Sequence, residues 1–174
     1  VKVLVLVAHP NFEGSRVNQR WAQELEAHEN VTVHNLYQVY PDGAIDVARE
    51  QQLLLDHDRI VLQFPLYWYS TPSLLKKWQD DVLQYGFAYG SEGNKLNGKD
   101  FVVAISTGGP AEAYQAGGYN QYTLSELLRP LQATANLIGA RYLPIFSFSG
   151  LMAVTDEQIE DSAKRYAAHI LGEY

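Results

Sequence analysis

The chain has 174 residues, of which 47% are hydrophobic and 19% charged, which describes one globular domain with a sizeable core rather than a disordered tail. Its formal net charge of −7 argues against nucleic acid as the main partner, because phosphate neutralisation needs Lys and Arg; it leaves open a small local anion site. The chain has no cysteine, which excludes disulfides, thiolate metal sites, iron–sulfur clusters and a thiol nucleophile.

In chain order, Val1 to Ala8 is a continuous, β-branched apolar run and reads as a buried parallel strand. His9 to Gly14 is a loop, and Ser15 caps a helix running to about Ala27. Val31 to Tyr37 is a second strand, Asp42-Gly43 a turn, and about Asp46 to Asp56 a helix. Arg59 to Phe64 is a third, buried strand. Gln63-Phe64-Pro65-Leu66-Tyr67-Trp68-Tyr69-Ser70-Thr71-Pro72 then places an aromatic, proline-stiffened loop before a helix that Pro72 starts and that runs to about Tyr85. Gly86 to Lys99 is a long loop, Phe101 to Thr107 a fourth strand, and Gly108 to Tyr122 a second long loop. A helix over Thr123 to Ile138, bent at Pro130, precedes a fifth strand over Arg141 to Phe148. Thr155 caps a last helix that ends near Gly172.

Five β-α repeats in one domain over residues 1–174 predict an α/β fold, a parallel sheet with helices on both faces. With five strands the doubly wound order 2-1-3-4-5 is the leading expectation, with a ligand at the switch point between strands one and three. That geometry brings together the loops after strands one, three and four. In the first, the helix N-terminus favours an anion, Ser15 offers a hydroxyl, Asn18 an amide and Arg16 a charge if it points inward, and His9 can donate to a phosphate oxygen. Taken alone, Ser15 is better explained as only a cap and His9 as only a strand-end residue. The second loop offers aromatic faces and backbone groups from Leu66, Tyr67, Trp68 and Tyr69. In the third, Ser106-Thr107-Gly108-Gly109-Pro110 lets a ligand approach the backbone, whose N–H groups can stabilise negative charge. Neither GxGxxG nor a P-loop is present, and the histidines show no metal spacing, so no metal is expected. No apolar run reaches about 18 residues, so no membrane span is expected, and a cytoplasmic protein is the simplest expectation.

Six segments together resemble the flavodoxin-like NAD(P)H:quinone oxidoreductase family. They are Ala8-His9-Pro10, Ser15-x-x-Asn18, Gln63 to Tyr69, Pro72-x-Leu74-Leu75-Lys76-x-Trp78, Gly86 to Gly90, and Ser106 to Gly109, in family order over residues 1 to about 145. Tyr37-Gln38-x-Tyr40-Pro41-Asp42 resembles the small bacterial members, among them the ancillary oxidoreductase subunits of the glutathione-gated potassium efflux system. The resemblance implies a flavodoxin-like three-layer sandwich and a flavin that takes hydride from NAD(P)H and reduces a quinone. It implies FMN rather than FAD, since the long C-terminal extension of larger FAD-binding relatives is lacking; FAD stays open, because the first loop can pass a pyrophosphate.

The resemblance further implies that His9, Ser15, Arg16, Val17 and Asn18 hold the phosphate. Pro65, Leu66, Tyr67, Trp68 and Tyr69 then line the ring, and Ser106, Thr107, Gly108, Gly109 and Tyr114 contact its polar edge. Gly108, Gly109 and Tyr114 carry the catalytic electrostatics. The family's relay histidine falls on Tyr119 or Asn120, and no histidine lies between His57 and His169. The implied partners are a quinone or similar acceptor and a second copy of the chain, as a homodimer. The alternative is a regulatory subunit on a potassium efflux antiporter, peripheral at the inner face of the cell membrane. A flavodoxin-like carrier is disfavoured because Tyr67, Trp68, Tyr69 and Tyr114 suggest an enclosed substrate site.

Overall fold

The computed structural model describes residues 1–174. Its first strand, β1 (Val3–Val7), is buried at every residue and pairs in parallel with β2 (Val31–Asn35) on one side and β3 (Arg59–Pro65) on the other. β3 pairs with β4 (Asp100–Ser106) over its whole length, from Arg59 opposite Asp100 to Pro65 opposite Ser106. The expected fifth strand is two short pieces, β5 (Arg141–Tyr142) and β6 (Phe146–Phe148), both parallel to β4. Pro144 lies in the gap, and a proline has no N–H to give to a sheet ladder. The order is β2-β1-β3-β4-β5, with β6 also on β4, so the doubly wound order expected from the sequence is the one observed.

The unbroken apolar runs follow from burial on both faces. Side chains alternate along a strand. Leu4, Leu6, Ile60, Leu62, Phe64, Val103 and Ile105 enter one core layer. Val3, Val5, Val7, Val61, Val102 and Ala104 enter the other. The second layer is closed by α1 (Arg16–Glu26) and α7 (Asp156–Leu171), through Trp21, Leu25, Tyr166 and Ile170. Between them in the chain come α2 (Leu36–Val39), α3 (Val47–Asp56), α4 (Ser73–Val82), α5 (Leu124–Leu127) and α6 (Arg129–Leu137). These cover the first layer. No helix is long and apolar enough to cross a membrane.

Ser15 and Thr155 cap α1 and α7 as expected, Thr155 in a reciprocal capping box with Gln158. Two helical boundaries differ. The second strand stops at Asn35, whose side chain caps the one-turn helix α2, a local side-chain bond that competes with the ladder. The helix expected over Thr123 to Ile138 is broken at Leu128, because Pro130 cannot bond back and its ring crowds the preceding turn. Lys76 and Lys77 form exposed ion pairs with Asp80 and Asp81 one turn later.

One polar cluster lies inside the first layer. The Glu50 carboxylate is buried and accepts from His34 Nε2 at 2.9 Å, the Tyr40 hydroxyl at 2.6 Å and Trp78 Nε1 at 3.0 Å. Burial pushes the Glu50 carboxyl up, and the three hydrogen bonds together with the charge of His34 outweigh it, holding the pKa below the ordinary value. Sequence reading passed over this residue, yet Val47, Glu50 and Leu54 share one helical stripe, and a carboxylate on an apolar stripe is the signal for a buried, paired acid.

Candidate functional site

All three predicted loops meet at the carboxyl ends of β1, β3 and β4. At the first, Asn11 N–H donates to His9 Nδ1 at 3.0 Å. That bond needs the Nδ1 lone pair, so the ring proton sits on Nε2, which is left as a donor. Burial lowers the His9 pKa, which also keeps the ring neutral. His9, Gly14, Ser15, Arg16 and Val17 line a hollow of about 310 Å³ together with Leu151 and Val154. The N–H groups of Arg16 and Val17 have no partner within the protein, as expected for the first turn of a helix. The Arg16 guanidinium donates to Asp156 Oδ1 and Val154 O, each at 3.3 Å, beside the same hollow.

The second loop forms a tight turn. Tyr67 and Ser70 exchange two backbone hydrogen bonds of 2.9 Å, and between them Trp68 and Tyr69 have φ of 45° and 61°. Positive φ at both central residues is the pattern of a type I′ turn, which favours Asn-Gly. Bulky aromatics there cost about 1–3 kcal/mol each. The N–H groups of Trp68 and Tyr69 are unpartnered, and the Tyr69 hydroxyl donates to Asn120 Oδ1 at 3.1 Å, linking this turn to the loop after β4. Trp68 is 92% exposed, so a single chain does not enclose the aromatic wall that the sequence suggested.

In the third loop, Gly108 and Gly109 N–H have no partner, and a Cβ built on Gly108 would meet nothing within 4 Å. One on Gly109 would lie 3.1 Å from the half-buried Tyr114 hydroxyl. Thr107 Oγ1 donates to Gly109 O at 2.9 Å and holds the loop's shape. Of the two positions matched to the family's relay histidine, Asn120 faces Tyr69 whereas Tyr119 is 92% exposed.

Beneath the crevice runs a buried polar chain that sequence reading did not assemble. Pro65 closes β3 opposite Ser106, and Leu66 N–H donates to Ser106 O at 2.9 Å. Asn18, fully buried, donates through Nδ2 to Ser15 Oγ at 3.2 Å and to Ser106 Oγ at 3.1 Å. Gln63 Nε2 donates to Asn18 O and Oδ1, and Gln63 Oε1 accepts from the Tyr166 hydroxyl at 3.0 Å. The Asn18 side chain is therefore spent inside the protein, tying three loops together, and does not reach into the crevice. A glutamine inside the otherwise apolar run Ile60 to Phe64 was the available signal. A loop after β6 was also missed: Gly150 N–H and Leu151 N–H donate to Gly109 O and Thr107 O, so it backs the glycine loop.

Residues 1–170 match the family model described as flavodoxin-like fold. General stress protein 14 of Bacillus subtilis (strain 168) is 61% identical over 98% of this chain and 97% of its own length. From the same organism, a protein described as the uncharacterized NAD(P)H oxidoreductase YrkL is 52% identical over the full length of both. The glutathione-regulated potassium-efflux system ancillary protein KefG of Cronobacter sakazakii is 52% identical over 77% of this chain and 73% of its own. Among solved structures, general stress protein 14 of Treponema denticola in complex with FMN superposes with a TM-score of 0.92 at 44% identity, covering 97% of each chain. An NADPH-quinone reductase from P. pentosaceus does so at 0.92 and 36% identity over 100% of both. A structure described as a thermophilic tryptophan halogenase from Streptomycin violaceusniger reaches 0.96 at 54% identity, over 98% of this chain and 99% of its own.

Proposed function

The chain belongs to the flavodoxin-like family whose model spans residues 1–170, and from that premise we propose that it is a flavin-dependent NAD(P)H oxidoreductase that reduces quinones or related electrophiles by two-electron hydride transfer. One observation carries the reading. Unpartnered N–H donors of Trp68, Tyr69, Gly108 and Gly109 gather where β3 and β4 end, beside the His9 hollow, and the space over Gly108 is open. The oxidoreductase and NADPH-quinone reductase names of relatives support it, and the FMN held by the Treponema protein favours FMN over FAD. The halogenase name of one neighbour stands apart from these.

Bound in this crevice, a flavin would supply reversible hydride chemistry between NAD(P)H and an acceptor. His9 Nε2–H, Ser15 and the N–H groups of Arg16 and Val17 would hold the phosphate. Pro65 to Tyr69 would flank the ring and set the substrate face. Gly108 and Gly109 N–H, with Ser106, Thr107 and the Tyr114 hydroxyl, would favour negative charge at the ring's polar edge. Asn120, one of the two positions matched to the relay histidine, can donate through its Nδ2. The test is direct: flavin-supplemented protein should show a shifted visible flavin spectrum and oxidise NAD(P)H when given a benzoquinone. No flavin uptake would end the proposal. His9→Ala should weaken FMN about tenfold or more, as for a lost hydrogen bond to a charged group, and riboflavin hardly at all, as read by quenching of flavin fluorescence.

A homodimer is part of the proposal, because Trp68 and Tyr119, each 92% exposed, flank the crevice and a second copy would cover them. Light scattering on the eluting protein should give about twice the monomer mass; a monomer at micromolar concentration would count against it. The proposed location is the cytoplasm, where NAD(P)H is available. The likeness to KefG over 77% of this chain favours a second reading, an ancillary subunit of a potassium efflux antiporter with secondary redox activity. An antiporter gene beside this one, and capture of its cytoplasmic domain by the purified protein, are the results that reading requires.

A further inference from the structure

We infer that Gln63 is a positioning residue: it fixes the direction of a buried hydrogen-bond chain, which Tyr166 ends, so that the Ser15 and Ser106 hydroxyls must donate into the crevice. Which way each group points follows from what each can accept. Asn18 O is a backbone carbonyl and only accepts, so the Gln63 amide must turn Nε2 toward it, at 3.1 Å. Gln63 Oε1 then faces Tyr166, whose hydroxyl donates to it at 3.0 Å. With Gln63 Nε2 also on Asn18 Oδ1 at 3.2 Å, Asn18 can present only Nδ2 to the two serines, at 3.2 and 3.1 Å. Ser15 Oγ takes in addition the Asn18 backbone N–H at 3.1 Å. Both serine oxygens are thus acceptors from Asn18, and neither hydroxyl proton has an acceptor within the protein.

Every member is buried: Tyr166, Gln63 and Asn18 at 0% exposure, Ser106 at 1% and Ser15 at 9%. With no water to reorient any of them, the direction that the Asn18 carbonyl imposes on Gln63 is kept to the two serines. Two hydroxyl protons are therefore aimed outward, one at the hollow beside His9 and one at the end of β4. Such a pair selects a ligand with acceptors at both places, an anionic group at Ser15 and a carbonyl or ring nitrogen at Ser106. This inference rests on the flavin reading for its ligand, though not for the direction of the chain.

Asn18→Asp keeps the shape and reverses the chain, because a carboxylate only accepts and both serines would turn their protons onto it. FMN affinity should fall at least tenfold while the circular dichroism spectrum is kept. Ser15→Ala/Ser106→Ala should cause a similar loss, and adding Gln63→Met to that pair should cost nothing further. Additive losses would overturn the inference, because a merely structural Gln63 would add its own cost to theirs. Gln63→Met, which frees Asn18 to turn over, should weaken FMN as well; unchanged affinity would likewise overturn it. A neutron structure of the flavin-free protein separates this inference from the flavin proposal. Deuterium on Ser106 Oγ pointing to the crevice supports the chain even if no flavin binds, and deuterium pointing at Asn18 overturns it even if flavin does.

Discussion

Gly108→Phe is expected to leave the fold intact and to remove flavin binding. The position sits at the end of β4 in ordinary backbone, and an added Cβ meets nothing within 4 Å. A side chain there costs little in the free protein, within the range of surface substitutions, about 0.5 kcal/mol. Its ring would fill the space that the unpartnered Gly108 and Gly109 N–H groups face. A loss of at least about a hundredfold in FMN affinity is expected, equivalent to about 2.7 kcal/mol. Gly150→Phe is the contrast, because Gly150 has a φ of 76° and any side chain there is strained. That variant should lower the melting temperature. Thermal melts and fluorescence titrations read both arms. Unchanged FMN affinity in Gly108→Phe would place the ligand away from the glycine loop.

Glu50→Ala should strongly destabilise the first core layer. It leaves His34, the Tyr40 hydroxyl and Trp78 Nε1 as buried donors with no acceptor. Breaking a buried, hydrogen-bonded charge cluster in this way costs about 3–5 kcal/mol, a large share of the roughly 5–15 kcal/mol that a domain has. Urea unfolding measures it, and a loss under about 1 kcal/mol would show that the cluster is incidental. The cluster also bears on the site. Trp78 lies on α4, the helix that follows the strained Trp68–Tyr69 turn, and the Tyr37 hydroxyl accepts from Leu74 N–H near the start of that helix at 3.3 Å. Loosening Glu50 should therefore loosen the turn.

The pH dependence has a definite sign. The Glu50 carboxyl is held below its ordinary value of 4.5 in the folded protein, so the folded state binds fewer protons than the unfolded chain. Its contribution is full above about pH 4.5 and is lost as pH falls through the depressed folded-state value. The acid-side loss seen by urea unfolding should be smaller in Glu50→Ala.

Much of this could be read in advance because it is local or periodic. The runs Val3–Val7 and, apart from Gln63, Ile60 to Phe64 are apolar on both faces, which only a strand covered on both sides requires. Ser15 and Thr155 announce helix starts through bonds three residues long. Pro130 and Pro144 mark interruptions, although the sequence suggested a bend and an unbroken strand where the structure has a break and a split. Asn18 had the right chemistry for a ligand but not the right direction, because its side chain is enclosed.

By itself, then, the sequence determined the alternating fold, the sheet order and the three loops that meet, because periodicity and end signals act within a few residues. Only the tertiary structure decided the left-handed pair Trp68–Tyr69, the proton position on His9 and the direction of the chain from Tyr166 to Ser106. The chain of bonds joins residues 45, 88 and 103 positions apart. A hydroxyl or amide in sequence carries both donor and acceptor capacity, and only its buried neighbours settle which one it presents.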